Sequence, residues 1–513
     1  MRGPFFQPLR FDLSASTASI CGCGKAVAPV RENIEQLFEE HRALMEQRVL
    51  KFALGEITPE ATFDFEQQIA AEVRELARQL LESVLNLLEA DEPAQMPHDV
   101  HYRASGFRRL NQKTRNPHVA TLFGTIVLWR YGYRDWQRDS GESVIFPLEI
   151  QLGLREGATP ALAEAVGRYL AEAGATQQAV LARLRAQHGV HWGVERLRDL
   201  TRQLAESLQQ QTPELQVGRV LELLQEAAAS RGGRRAVLCV GRDGVTLREY
   251  RYRFFEHASV GTVPVYDRSG KRLGTVYLAF APQLGQGQMT QRLTWLVREV
   301  LRRWEGPPPR LAYVTDAGDA ETTYYHRVLR NMRHPRTGER LSWQRIVDFY
   351  HAAERVWTMA EALFGSQSPV GRAWARRMCR VLKQPGGPNR VLHSAAALRA
   401  ARRLSKTRAA DFRKAYNYIR RRTRVMQYYE YRKLHLPIGS GVTEAACKTI
   451  FAQRLKLSGM RWGKSGAQVI LDLRVVLLSG IWERAYREHL RSRRVEELRT
   501  HDESSPKTRR LAA

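Results

Sequence analysis

The chain lacks any long apolar run. Its 513 residues contain no stretch of the roughly 18 uninterrupted apolar residues that a membrane helix needs. The N-terminus does not form a convincing signal peptide either, because Arg10 and Asp12 interrupt its only apolar patch. We therefore expect a soluble cytoplasmic protein with no membrane partner.

Cysteine is also scarce. The five cysteines, an odd and scattered set, are Cys21, Cys23, Cys239, Cys379 and Cys447. Such a set does not form a disulfide framework in a large chain. The spacing of Cys21 and Cys23 does not fit a zinc knuckle, and no second pair of ligands follows. We expect the thiols to be reduced and mostly structural.

Acidic residues are few compared with basic ones. Lys and Arg number 81 against 53 Asp and Glu, which gives a formal net charge of +28 and a sequence pI of about 10.3. A field of this sign attracts polyanions, and nucleic acid is the commonest partner of a large basic protein. The length predicts two to four domains, and the hydrophobic share of 43% is ample for their cores.

The N-terminal half contains three kinds of pattern. Residues 29–91 show apolar residues at helical spacing, and residues 118–150 predict a β-hairpin with its turn at Asp139-Ser140-Gly141. A pair of helices follows, separated by His188-Gly189-Val190, as in a helix-turn-helix. Its predicted recognition helix, Trp192–Leu204, carries three arginines that could contact DNA, although helical pairs of this kind also serve as scaffold. They are Arg196, Arg198 and Arg202.

From about residue 234 the period changes to that of strands. Three strand-like runs, AVLCVGRDGVTL, TLREYRYRFFEHASVGTVPVYD and GTVYLAFAP, precede the helix QMTQRLTWLVREVLRRW and the strand RLAYVTD. Another helix and a fifth strand, QRIVDFY, come next. Three strands, a helix and a fourth strand is the order of a ribonuclease-H-like core. We expect a multidomain α/β protein.

A helical block with a high positive charge follows the fifth strand. Between residues 372 and 433 there are 19 Lys and Arg against two acids, a net charge of +17, and tyrosines are interleaved among them. Basic side chains neutralise phosphates, and tyrosines stack on bases or pack in the core. The residues predicted to bind DNA here and in the segment that follows are Arg402, Arg403, Arg420, Arg421, Arg422, Arg424, Lys448, Arg461 and Trp462.

Three acids occupy the positions that metal-dependent phosphodiester chemistry requires. Asp243 and Asp316 end apolar runs, and Glu444 opens a helix after Gly439-Ser440-Gly441, with Ser440 as the expected N-cap. Two Mg²⁺ ions, or Mn²⁺ in their place, prefer such oxygen ligands and stabilise both the attacking and leaving oxygens. Asp319, in the same loop as Asp316, is the alternative second ligand.

A second pair of polar residues, Asp348 and His351, follows the fifth strand. We expect them to support the metal ligands through hydrogen bonds or to contact DNA. A purely structural role, linking the strand to the helical block, is the other interpretation.

Three segments carry a resemblance to a known family: VTDAGDAETTYYHRVLRNMRHP, SWQRIVDFYHAAERVWTMAEALFG and LPIGSGVTEAACKTIFAQRLKLSGMRW. They are similar to the DDE transposases of bacterial insertion sequences, in particular the Kra-type family and the broader Mutator-like group. The resemblance covers about residues 236–485. It implies a ribonuclease-H-like fold with an α-helical insertion, Asp243, Asp316 and Glu444 as the acidic triad, and Asp348 and His351 as the (C/D)-x-x-H pair. The second-Asp motif of that group often reads DGA, whereas this loop reads Asp316-Ala317-Gly318-Asp319.

The expected function is that of a transposase of a bacterial insertion sequence. It would bind double-stranded DNA, both the terminal inverted repeats of its element and the target, cleave the ends and join them by strand transfer. We expect a nucleoid-associated protein that is a homodimer or larger on DNA. The alternatives are a ribonuclease-H-like nuclease without strand transfer and a DNA-binding regulator with an inactive core.

The patterns together predict seven segments. They are an N-terminal helical region (1–100), a segment with the β-hairpin (101–156), a helix-turn-helix-like DNA-binding region (157–233), the first part of the core (234–350), the basic helical insertion (351–436), the completion of the core with the Glu444 helix (437–490) and a disordered tail (491–513).

Overall fold

The structure is a computed structural model that describes residues 27–103, 105–135, 144–248, 255–495 and 499–500. It is mixed α/β. Its helices are α1 (Val27–Ala53), α2 (Pro59–Leu87), α3 (Pro147–Gln151), α4 (Pro160–Ala171), α5 (Gln177–His188), α6 (Val194–Ala229), α7 (Gly287–Arg303), α8 (Asp319–Arg327), α9 (Phe349–Phe364), α10 (Pro369–Val381), α11 (Gly387–Ala400), α12 (Lys406–Arg420), α13 (Tyr428–Lys433), α14 (Gly441–Ala446), α15 (Gln453–Leu455), α16 (Lys464–Leu478) and α17 (Trp482–Val495). Its strands are β1 (Asp99–Tyr102), β2 (Ser105–Thr121), β3 (Gly124–Asp135), β4 (Val144–Ile145), β5 (Val237–Arg248), β6 (Phe255–Tyr266), β7 (Arg272–Phe280), β8 (Arg310–Thr315), β9 (Trp343–Val347) and β10 (Arg499–Thr500).

The described residues fall into two units. The first comprises residues up to 164, residues 181–196 and those from 490 onward, and the second comprises residues 165–180 and 197–489. In the first unit, α1 and α2 form a helical hairpin, and α2 begins where Thr58 accepts a hydrogen bond from the Ala61 N–H at 3.1 Å. Inside the hairpin, His41 contacts Glu72 at 2.7 Å.

An antiparallel sheet completes the first unit, with strand order β10-β1-β2-β3-β4. β3 pairs antiparallel with β4, on the two sides of the predicted turn at Asp139-Ser140-Gly141. The sequence does not predict the β2–β3 hairpin, which turns at Leu122–Phe123. Thr121 fixes this turn, because its hydroxyl accepts from Phe123 N at 3.0 Å and donates to Gly124 O at 2.9 Å. The polar sequence of β2 conceals the strand, and residues 139–141 lie outside the described residues.

The sheet of the second unit has the order β7-β6-β5-β8-β9. β5, β6 and β7 pair antiparallel, whereas β5, β8 and β9 pair parallel. These strands, with α7 and α8 between them, follow in the order that the sequence predicts. The last strand ends at Val347, one residue before Asp348, because the Asp348 side chain accepts from the His351 N–H at 2.8 Å and begins α9.

Helices cover both faces of this sheet. Alternate residues of β5 separate the two cores: Leu238 and Val240 pack with α7 and the second half of α6, whereas Val237 and Cys239 pack with α9 to α13. A helical segment from Gly441 to Leu455 follows, in which α14 and α15 are joined by the π-helical turn Cys447–Ala452.

Two further observations concern the C-terminal part of the chain. α17 extends to Val495, and Arg499–Thr500 pair with β1, so secondary structure continues past residue 491, where the sequence predicts the start of a disordered tail. Buried Tyr486 and His489 anchor this helix. No single described helix is long and apolar enough to cross a membrane; Lys464–Leu478 and Trp482–Ser492 meet the length and composition criteria only as a pair bent by 114°.

Candidate acidic active site

Three neighbouring parallel strands, β5, β8 and β9, bring three aspartates to the same level of the sheet, at the carboxyl ends of β8 and β9. Register pairs Gly241 of β5 with Val314 of β8, so Asp243 and Asp316 lie two residues beyond one matched pair. Side chains alternate between the two faces of a strand. Ala312 and Val314 of β8 pack on the same side as Cys239, so both aspartates belong to the face covered by α9 to α13. Asp348 belongs to that face too, because register pairs Val314 with Ile346, two residues before Asp348.

The sequence predicts Asp243 at the end of a strand, but Asp243 lies inside β5. The strand continues to Arg248 because it remains paired with β6, where Asp243 lies opposite Val260. The Asp243 carboxylate accepts a hydrogen bond from Gly244 N at 2.7 Å and one from the Cys447 thiol at 3.2 Å. Burial raises the pKa of Asp243, and the charges of Asp316 and Glu444 raise it further.

Asp316 is held in the loop between β8 and α8. Its Oδ1 accepts from Gly318 N at 2.9 Å, and its carbonyl oxygen accepts from the Tyr418 hydroxyl at 2.9 Å. Asp319, the alternative ligand, is exposed on the first turn of α8. Because register places Asp316 at the position that matches Asp243, and the charge of Asp316 raises the pKa of Asp243, we favour Asp316 as the partner of Asp243.

Glu444 lies in α14 beside Ser440. Ser440 occupies the N-cap position of α14, as the sequence predicts, but its side chain makes no capping hydrogen bond. Its hydroxyl instead lies 2.6 Å from Glu444 Oε1 and 2.9 Å from Asp348 Oδ2. A hydroxyl has one hydrogen, so it donates to only one of these carboxylates at a time.

Asp348, His351 and Glu444 form a group that could hold a metal ion, since one ligand atom of each lies within 4.8 Å of the others. Asp348 is fully buried, and His351 Nε2 is 3.6 Å from Glu444 Oε1. Burial lowers the pKa of His351, but its hydrogen bond to Glu354 and the charges of Asp348 and Glu444 outweigh that effect and raise it. The histidine is thus drawn toward its charged form.

Two further groups, which the sequence does not predict as site residues, lie at this site. Glu321 on α8 is buried, and burial together with the charges of Asp316 and Asp243 raises its pKa. The signal available was a third acid within six residues of Asp316. The Cys447 thiol touches Asp243, and the three-residue spacing from Glu444 placed it on the same helix face.

The predicted recognition helix differs from the observed one. α6 begins at Val194 and runs for 36 residues, much longer than a recognition helix. The guanidinium of Arg196 donates to Glu156 O at 2.7 Å and to His118 O at 2.8 Å, so it stabilises the first unit instead of being free for DNA. Arg198 donates to Gln177 at 3.1 Å, and Arg202 pairs with Asp199.

The basic helical block has much of its charge on the surface. The predicted DNA-binding residues that are exposed are Arg403, Arg420, Arg421, Arg424, Lys448 and Arg461. Arg402 and Arg422 lie over the rings of Phe364 and Tyr418, at 4.5 and 4.2 Å from the ring centres. Tyr428, by contrast, is buried and donates to Val347 O at 3.0 Å. Its ring is therefore part of the hydrophobic core.

Comparison with known proteins does not assign the chain to a family. No model of a protein family matches it, and no curated protein matches it.

Proposed function

We propose that this protein is a metal-dependent DNA transposase with a ribonuclease-H-like core and an α-helical insertion. The observation that carries the proposal is the placement of Asp243 and Asp316 on one face at matched positions of adjacent parallel strands, with Glu444 on the helix that follows the basic block. The strand order β7-β6-β5-β8-β9, with the first three strands antiparallel, supports the same fold.

The proposed metal ligands are carboxylates, and the proposed ions are two Mg²⁺. Asp243, Asp316 and Glu444 would hold them, because hard cations prefer carboxylate oxygens. The raised pKa of Asp243 reflects burial and two like charges that a cation would offset. When bound, the ions neutralise the scissile phosphate and lower the pKa of the attacking water or hydroxyl.

The surrounding residues hold the carboxylates in place. Asp348 binds Ser440, and Ser440 binds Glu444, so the start of α9 fixes the third acid of the site. His351 Nε2 lies 3.6 Å from the same oxygen of Glu444, so the two side chains form an ion pair when the imidazole is protonated. Tyr418 ties the basic block to the loop of Asp316. DNA that binds this block would therefore contact an element that is hydrogen-bonded to the loop of Asp316.

The basic surface supports nucleic acid as the substrate class. A net charge of +17 over residues 372–433 suits the phosphates of double-stranded DNA, both the inverted repeats and the target. Hydrolysis and strand transfer are both in-line displacements at phosphorus with different oxygen nucleophiles, so one site serves both. Because two ends must meet, we expect at least a dimer on DNA.

The test is cleavage of labelled DNA that carries the element's own ends, with Mg²⁺ and with binding measured on the same samples. We expect Asp243→Asn, Asp316→Asn and Glu444→Gln to bind normally and not cut. Asp319→Asn, in the same loop, is the matched control and should cut like the wild type. Cutting by the three variants at the wild-type rate would refute the proposal.

Two other outcomes favour the alternatives. Cleaved ends that are never joined to target DNA would indicate a nuclease without strand transfer. Specific binding without cleavage by the wild type would indicate a regulator.

A further inference from the structure

A cavity of about 750 Å³ lies in the second unit, among α5, α6 and the segment that connects α15 to α16. Its volume is within the range of small-ligand sites. No acid is among its described lining residues. Four arginines line it: Arg198, Arg202, Arg454 and Arg461. A cavity with this charge favours an anion.

Arg454 is the most unusual residue of this wall. It is fully buried, and its Nε donates to Leu170 O at 3.0 Å. Its Nη1 and Nη2 have no hydrogen-bond partner within the described parts of the chain. Unsatisfied donors on a buried charged group are costly, so a ligand that supplies the missing acceptors would stabilise this arrangement.

A second buried positive charge, that of Arg474, acts on Arg454 and further favours an anion. Arg474 is also buried, and its guanidinium donates to Ala171 O and Thr449 O, which are neutral acceptors. Burial lowers the pKa of Arg454 to about 10, and the charge of Arg474 adds to this effect. No ion pair with an acid is found for either arginine in the described residues, so two positive charges are left uncompensated.

An aromatic ring stands next to this charge. The Cζ of Arg454 is 5.2 Å from the centre of the Trp462 ring, and the indole Nε1 is a second buried donor without a partner in the described structure. Two guanidinium nitrogens match two oxygens of a phosphate, and an indole face suits a sugar or base. Since Arg454 is fully buried, entry requires a shift of residues 457–463, where Gly459 and Gly463 have open space around them.

We propose that this cavity binds the phosphate group of a nucleotide, with Arg454 Nη1 and Nη2 as the donors and Trp462 beside the attached sugar and base. The phosphate has two sources of the same chemistry: a free phosphate or mononucleotide, and a phosphodiester of a single DNA strand. The inference does not require the acidic site to be active.

The test uses the full-length protein at constant ionic strength. Thermal melts are recorded with inorganic phosphate replacing chloride, and binding of a labelled twelve-residue thymidine oligonucleotide is followed by anisotropy. We expect Arg454→Met to weaken the response to at least one of these ligands by about tenfold or more. Arg298→Met, which removes one exposed charge from α7, is the control and should stay near wild type.

The two arms identify the source. A loss with inorganic phosphate indicates a site for free phosphate groups, whereas a loss with the oligonucleotide alone indicates a strand of DNA. In the second case Trp462→Ala should weaken oligonucleotide binding as well.

Two results would overturn the inference. One is binding of both ligands by Arg454→Met as strongly as by Arg298→Met, and the other is a wild type that responds to neither. Without ligand, Arg454→Met should melt no lower than wild type, because it removes an uncompensated buried charge. A variant that fails to fold would contradict that expectation, and the wild-type titrations would still decide whether phosphate binds.

Discussion

Within the described residues, the Asp348 carboxylate accepts hydrogen bonds from two backbone N–H groups and one hydroxyl group. Oδ1 accepts from the His351 N–H at 2.8 Å, and Oδ2 accepts from the Ser440 hydroxyl at 2.9 Å and from the Ser440 N–H. The side chain is fully buried. Two acceptor oxygens are therefore needed, and Asp348→Asn supplies only one.

The cost of Asp348→Asn follows from these contacts. If the amide oxygen keeps the bond to His351, the amide NH₂ faces the Ser440 N–H, and that buried donor loses its partner. An unsatisfied buried donor costs about 1–3 kcal/mol, and the weaker bonds of a neutral acceptor add about 1 kcal/mol. We expect the free energy of unfolding to fall by about 2–4 kcal/mol. The melting midpoint of the second unit should fall by about 5 °C.

Calorimetry with EDTA present measures this shift, and Asp411→Asn is the matched control. Asp411 is exposed on α12, so its substitution should leave the midpoint unchanged. Equal midpoints for the two variants would refute the argument that Asp348 joins α9 to the segment before α14.

Three further predictions concern the metal, the loop and the DNA. Mg²⁺ at 100 times its Kd should stabilise the wild type by about 2.7 kcal/mol in thermal melts. Asp243→Asn should remove this stabilisation. Lowering the pH through the raised pKa of Asp243 should weaken it, because protons then compete with the ion for the carboxylate. Tyr418→Phe, which loses the bond to Asp316 O, should cost about 1 kcal/mol in urea unfolding; an unchanged midpoint would contradict this. Replacing Arg421 and Arg424 by Ala should reduce the slope of log K against log salt by about 1.8 if each contacts a phosphate; binding titrations at several salt concentrations measure it.

The sequence predicts the core sheet well because its strands are buried and continuous. Each strand-like run from Val237 to Val347 corresponds to a strand, so the order of elements and the position of Asp316 after β8 could be inferred locally. The continuation of β5 past Asp243 could not, because it depends on pairing with β6. The β2–β3 turn could not, because the polar β2 gives no apolar alternation and Thr121 forms the turn without a typical turn sequence.

The network around the acids depends on tertiary contacts. Ser440 precedes a helix and so resembles an N-cap, but its hydroxyl bonds Asp348, which is 92 residues away in the chain. Likewise, nothing in the local pattern reveals that Arg196 donates to the distant His118 carbonyl, or that Glu321 is buried. Such partners are determined by how the elements pack.

The π-helical turn Cys447–Ala452 sets the direction in which the two ends of one helical segment point. Glu444 lies before this turn and Arg454 after it. A π turn contains one residue more than an α-helical turn, and each residue corresponds to about 100° of rotation. Loss of a single residue here would leave both side chains in helices but rotate one against the other by about that angle. The extra residue thus directs the carboxylate toward the sheet edge and the guanidinium toward the arginine-lined cavity.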